Sequence, residues 1–276
     1  MHSLRSDFIF TLGRKIDFSY KTNKIIAVLS LLVVATGWVL TGKLLDGVYI
    51  GVGVFLTWAL SRELDPKQEY SAFLAVAFSL LNLFYYENIQ LLVIFWILLL
   101  MRIVNGMTGK ELTIVDIFLV LGLTIYLSLN TENSIYLLVF ILAMALIIKA
   151  SEKKKAVVIA SGISLGFFIG ESFFMHYLSL NNRNVLNPIS LVAIMIVCLS
   201  FIFFWFLPKD KVEDDRGNNA EIARIAAGQL LFSAAVILLF FFDDVSMNNL
   251  VIYLSVILGV TCYFVGFKFL TRNGSL

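Results

Sequence analysis

Of 276 residues, 60% are hydrophobic and 14% charged, against about 25% charged in an ordinary soluble chain, and the mean hydropathy is +0.91. That excludes a water-soluble domain, because too few polar side chains exist to cover its surface. The formal charge of +2 is too small for the basic face that nucleic acid requires, so the expected partner is the lipid bilayer, with no nucleic acid.

Residues 1–24 form a basic, amphipathic segment. Leu4, Phe8, Leu12 and Ile16 recur every four positions, with Arg5, Asp7, Arg14 and Lys15 off that line. The pattern predicts a short helix lying on the inner membrane face, its cations against anionic lipid head groups.

Ten apolar segments follow, at 25–41, 46–60, 70–86, 89–104, 113–129, 134–150, 156–178, 188–207, 220–242 and 248–270. Their lengths approach the ~20 residues of a spanning helix, and they lack the two-residue alternation of barrel strands. Connections at 42–45, 87–88, 130–133 and 243–247 are short enough to force antiparallel neighbours, which predicts five hairpins. With the N-terminus inside, all but Lys43 and Arg183 of the 21 basic residues fall on the cytoplasmic side. Merging or splitting one span would invert every later loop. The expected fold is therefore all-α: a polytopic bundle of about ten transmembrane helices in the cell membrane, both termini cytoplasmic. Residues 25–276 make one domain, and its only substantial hydrophilic stretch is a cytoplasmic loop at 208–219. Cys198 and Cys262 lie in apolar runs and read as small hydrophobes.

Three inner-face stretches combine carboxylates with arginines: Arg62, Glu63 and Asp65; Arg102 with Asn105; and Asp214, Asp215 and Arg224. A magnesium-dependent enzyme acting on a lipid-linked phosphate would use the carboxylates on the metal and the arginines on phosphate oxygens. Helix capping explains much of the same chemistry, since Asp65–Gln68, Thr108–Glu111, Thr113–Asp116 and Asn218–Glu221 all follow capping grammar. No glycine-rich phosphate loop, paired-histidine motif or spaced aspartate-rich motif stands in the chain.

The seventh segment carries Gly162, Gly166 and Gly170, a stripe that predicts a closely packed neighbouring helix. At about 100° per residue Glu171 falls opposite Gly162, on the face of Ala160, Ser164 and Phe167. Two faces that avoid lipid predict a central helix. Glu171 lies ~22 Å from its inner end, where Asn82 is the expected hydrogen-bonding partner and His176 a second titrating group nearby. Asp46, Glu87, Glu132, Asp243 and Asp244 give the outer side a net acidic mouth.

Short-looped helices without an extramembrane domain leave the membrane interior as the place for a site. The expected function is transport of a small molecule or ion, with Glu171, His176 and Asn82 as its responsive groups. The first alternative is the lipid-phosphate enzyme, and the second is a structural or assembly subunit. No cofactor or metal site is expected outside the enzyme reading, where magnesium would serve.

Overall fold

The computed structural model describes residues 10–14, 17–84, 89–179, 188–242, 245 and 247–273. Leu4, Arg5, Asp7, Phe8, Lys15, Ile16, Glu87, Arg183, Asp243 and Asp244 lie outside the described residues.

Within them the chain is all-helical, with one isolated bridge between Glu213 and Asn219. The helices are α1 (Lys21–Thr41), α2 (Leu44–Leu64), α3 (Ser71–Ser79, continued by a 3-10 turn over Leu80–Leu83), α4 (Leu91–Asn105) and α5 (Ile114–Thr131). Then come α6 (Ile135–Ile147), α7 (Lys154–Phe174), α8 (Pro188–Trp205), α9 (Ile222–Phe242) and α10 (Met247–Asn273). Each of the ten apolar segments holds one helix.

Six of them, α1, α2, α5, α7, α9 and α10, are long and apolar enough to cross a membrane. Apolar helices over Ser71–Leu83, Leu91–Asn105, Ile135–Ile147 and Leu191–Trp205 are shorter. Large apolar side chains lie exposed along the outside, Leu31, Val39, Ile159 and Phe173 among them, as lipid-facing surfaces require.

Helix ends follow local chemistry. Gly42 and Gly106 take left-handed φ values of 72° and 66°, and their amides donate to Trp38 O and Arg102 O to end α1 and α4. Thr113 and Asp116 form a complete capping box at the start of α5. The other capping patterns open no helix. Asp65 ends α2 instead, α3 starts only at Ser71, and 106–113 is a loop.

α4 and α6 are strongly apolar and buried over most of their length. Trp96 of α4 donates from Nε1 to Thr124 Oγ1 of α5 at 2.9 Å and meets the Tyr136 ring of α6 edge-on at 5.3 Å. That joins three helices around one fully buried indole.

Three expectations need correction. Phe10–Arg14 is not helical: Thr11 and Leu12 are tucked into the bundle rather than laid on the membrane face. The five-hairpin pairing does not describe the packing either. α1 lies along α2 and α5 along α6, yet α3 packs on α2 and α10 rather than on α4, and α9 packs chiefly on α8, α4 and α6, meeting α10 through the rings of Phe232 and Tyr253. A short connection fixes the direction of the next helix, not its neighbour.

Finally, α7 is peripheral. Ala156, Val157, Ala160, Ser164 and Glu171 form its buried face, Phe167 is exposed, and among the described residues nothing lies within 4 Å of a Cβ built on Gly162, Gly166 or Gly170. The close approach occurs between α1 and α2, where a Cβ on Gly47 would stand 2.4 Å from Val34 O and one on Gly51 2.8 Å from Ser30 O.

Candidate functional site at the cation-rich end

The last turns of α2 and α4 carry Glu63 and Arg102, charged residues that interrupt apolar sequence and need partners when buried. Glu63 is 1% exposed. Its Oε1 accepts from Arg102 Nε and from Arg14 Nη1, both at 3.0 Å. Arg14 also grips Asp215 in a bidentate pair, with Nε to Oδ2 at 2.7 Å and Nη2 to Oδ1. The result is a chain of alternating charge, Asp215–Arg14–Glu63–Arg102. Burial works against the Arg14 charge, but the carboxylates of Glu63 and Asp215 outweigh it and hold its pKa above the ordinary arginine value. Glu63 Oε2 finds no donor among the described residues.

The segment Phe10–Arg14 acts as a strap across this end. Thr11 donates from its amide and hydroxyl to buried Asp116 at 2.8 and 2.6 Å, Leu12 O accepts from Arg102 Nη1 at 3.0 Å, and Arg14 closes on Glu63. Two amides bind the helices beneath it: Asn105 Nδ2 donates to Glu63 O at 2.7 Å and Gln229 Nε2 to Leu64 O at 2.9 Å.

Arg224, in the first turn of α9, crosses Gly106 to cap the C-terminus of α4, donating from Nε to Val104 O and from Nη2 to Ile103 O, both at 2.9 Å. A Cβ on Gly106 would strike this guanidinium at 2.4 Å. Asp214 organises the 212–219 loop by accepting from the amides of Arg216 and Asn218 at 2.8 and 2.9 Å. The little burial it has pushes Asp214 up, but these amides outweigh it and hold the carboxyl below its ordinary value.

Asp65 and Arg62 turn away from the cluster. Burial pushes Asp65 up to about 6 despite hydrogen bonds from Ser71 and Gln68. Its electrostatic neighbours include Lys67 and Lys209, and Lys209 donates to Phe204 O and Leu207 O at 2.8 and 3.1 Å and so caps α8. Arg62 pairs with Glu69 at 3.0 Å and lies over the Trp58 ring.

A cavity of about 250 Å³ lies beside the cluster, lined among others by Arg224, Lys110, Asp214, Glu111 and Glu152. A larger one, about 580 Å³, lies at the other end of α4 and α5 and reaches from Tyr49 of α2 to Thr131. Between these two stretches α4 is packed solid from Trp96 to Met101.

The magnesium ligand set does not assemble. Glu63 and Asp215 each face Arg14, Asp214 faces its own loop and Asp65 faces Ser71, so the four carboxylates surround no common point. Among the described residues no group of three or more His, Cys, Asp or Glu is placed to hold a metal.

Glu171 is 2% exposed and takes the Ser128 hydroxyl of α5 on Oε2, while Oε1 finds no donor among the described residues. Its expected partner lies elsewhere. Asn82 and Asn248 exchange hydrogen bonds of 3.2 Å, because α3 packs on α10 whereas α7 packs on α5 and α6. His176 is exposed at a left-handed φ of 59°, and neither it nor Glu171 lines the two cavities.

Sequence reasoning missed the roles of Arg14, Thr11 and Gln229. The signal available for Gln229 was a lone amide inside an apolar run, which must find a partner when buried. Compared with models of protein families, with curated proteins and with solved structures, the chain matches none.

Proposed function

We propose that the protein is a multi-pass transporter of a small molecule, crossing the cell membrane ten times with both termini cytoplasmic. The carrying observation is the pair of cavities at opposite ends of α4 and α5, separated by the packed layer around Trp96, Thr124 and Tyr136. Along α4 the two lining stretches end at Phe95 and begin again at Ile103, a gap of about 12 Å. Opposed vestibules with a thin packed barrier are what alternating access needs. In this reading the Asp215–Arg14–Glu63–Arg102 chain is the closed cytoplasmic gate. Its charges neutralise one another, so it separates without leaving a net charge on either side.

Glu171 serves as a joint between α5 and α7 in this account, since it lines neither of the two cavities. The enzyme alternative is supported by the gathering of Glu63, Arg102, Asp214, Asp215 and Arg224 at one end. It is weakened because the arginines are already engaged, and because Asp214, Glu111 and Glu152 outnumber Arg224 and Lys110 around the cavity, a poor setting for phosphate.

The test places single cysteines at Asn130 and Ser151 in a chain with Cys198 and Cys262 changed to serine. A membrane-impermeant maleimide should label Asn130→Cys from outside intact cells and Ser151→Cys only in inside-out vesicles. Metabolite profiles of cells with and without the protein should then differ by accumulation of an unmodified compound. Labelling of both positions from one side, or a changed lipid-phosphate product with no accumulated compound, overturns the reading.

A further inference from the structure

The larger cavity has a chemistry of its own. It is bounded by α2, α4 and α5 at the end opposite the Glu63 cluster. α4, at 15 residues, is about 22 Å long, shorter than the ~30 Å hydrocarbon core, so its N-terminus stops inside membrane depth while the 21 residues of α2 reach about 31 Å. The shortfall leaves the notch.

The wall of the notch toward the middle of the bundle is mainly apolar, Val52, Leu56, Phe95 and Leu127, with the ring of Tyr126 beside them. Toward the helix ends Tyr49, Gln90, Asn130 and Thr131 add uncharged polar groups among the apolar Ile89, Leu91 and Leu92. Among the described residues no Lys, Arg, Asp or Glu lines it. Tyr49, Val52, Leu92, Phe95 and Tyr126 are exposed, so the notch opens sideways, toward lipid. The first turn of α4, Leu91–Val93, lines it too, with the amides of Leu91 and Val93 donating to Ile89 O and Gln90 O. At about 580 Å³ it has the size of a small-ligand site.

We infer that this notch binds an amphiphile drawn from the bilayer, with a hydrocarbon body and an uncharged head group rich in acceptor oxygens, of the monoacylglycerol kind. The hydrocarbon lies along Leu56, Phe95 and Leu127, and the head group meets Tyr49, Tyr126 and Asn130. An anionic head group is disfavoured because, among the described residues, no cation lines the notch. Taking this amphiphile as the cargo rests on the transport reading; binding itself does not.

The full chain in phosphatidylcholine vesicles is irradiated with a diazirine-bearing monoacylglycerol or, separately, the corresponding fatty acid at neutral pH. The monoacylglycerol should label 89–95 and 126–131 at least fivefold above Val158, Ile159 and Phe173 on the exposed face of α7, and the fatty acid should label the notch several-fold less. Leu56→Trp with Leu127→Trp should remove the preference, and the wild-type pattern stands as a measurement without any variant. Uniform labelling, or preference for the fatty acid, overturns the inference. Selective labelling without exchange of the probe across the vesicle keeps the binding site and counts against transport of this amphiphile. Exchange with uniform labelling keeps transport and removes the site.

Discussion

Glu63 is the residue on which the cation-rich end depends. Removing one partner of a buried ion pair leaves an uncompensated charge, which costs about 3–5 kcal/mol. Glu63→Gln should cost stability of that order and so lower the thermal unfolding midpoint in detergent, whereas Lys67→Met, which breaks the exposed pair with Asp210, should leave the midpoint unchanged. Asp65 gives a pH signature. Because burial raises its folded pKa from 3.8 to about 6, the folded state binds the proton more tightly than the unfolded chain does. This group therefore adds stability as pH falls through 6 toward 3.8, and that gain is absent above the window. At about 1.4 kcal/mol per unit the gain is on the order of 3 kcal/mol. Asp65→Asn should abolish it and be the more stable protein near neutral pH, checked by unfolding midpoints between about pH 4 and 7.

Between helices, glycine decides where backbones meet. Gly47→Ala would drive a methyl group into Val34 O and should separate α1 from α2, costing about 2 kcal/mol or more. Gly166→Ala, with open space around it, should be neutral or stabilising by up to about 1 kcal/mol through helix propensity. Melting the two variants side by side checks both. The existence of every helix was legible because an apolar run long enough to bury or span leaves no other backbone solution. The buried face of α7 was legible for the same reason: Ala160, Ser164 and Glu171 share one side of a 3.6-residue period. Which glycine stripe finds a partner was not. Gly47 and Gly51 have the same spacing as Gly162 and Gly166, yet the first pair meets the preceding helix α1, while α7 packs on α5 and α6 through its other face.

For the molecule as a whole, the distribution of lysine and arginine carries the proposed orientation. Impermeant labelling of single cysteines replacing Arg62 and Lys154 should place both on the cytoplasmic side; opposite sides would invert half the loops. The site was only partly legible. Charged residues at 62–65, 102 and 214–224 announced a polar end, but the pairing of Asp215 with Arg14 spans 201 positions, and no local pattern foretells it. That long reach orders events in time. Arg14 emerges from the ribosome before α1; its partner Glu63 follows in the last turn of α2, whereas Asp215 follows eight helices. The strap can take hold on Glu63, Arg102 and Asp116 once the start of α5 is made, and only its final clasp, to Asp215, must wait for the later helices to be threaded into the bilayer: chains stopped ahead of residue 212 should keep a strap more sensitive to protease than that of full-length protein.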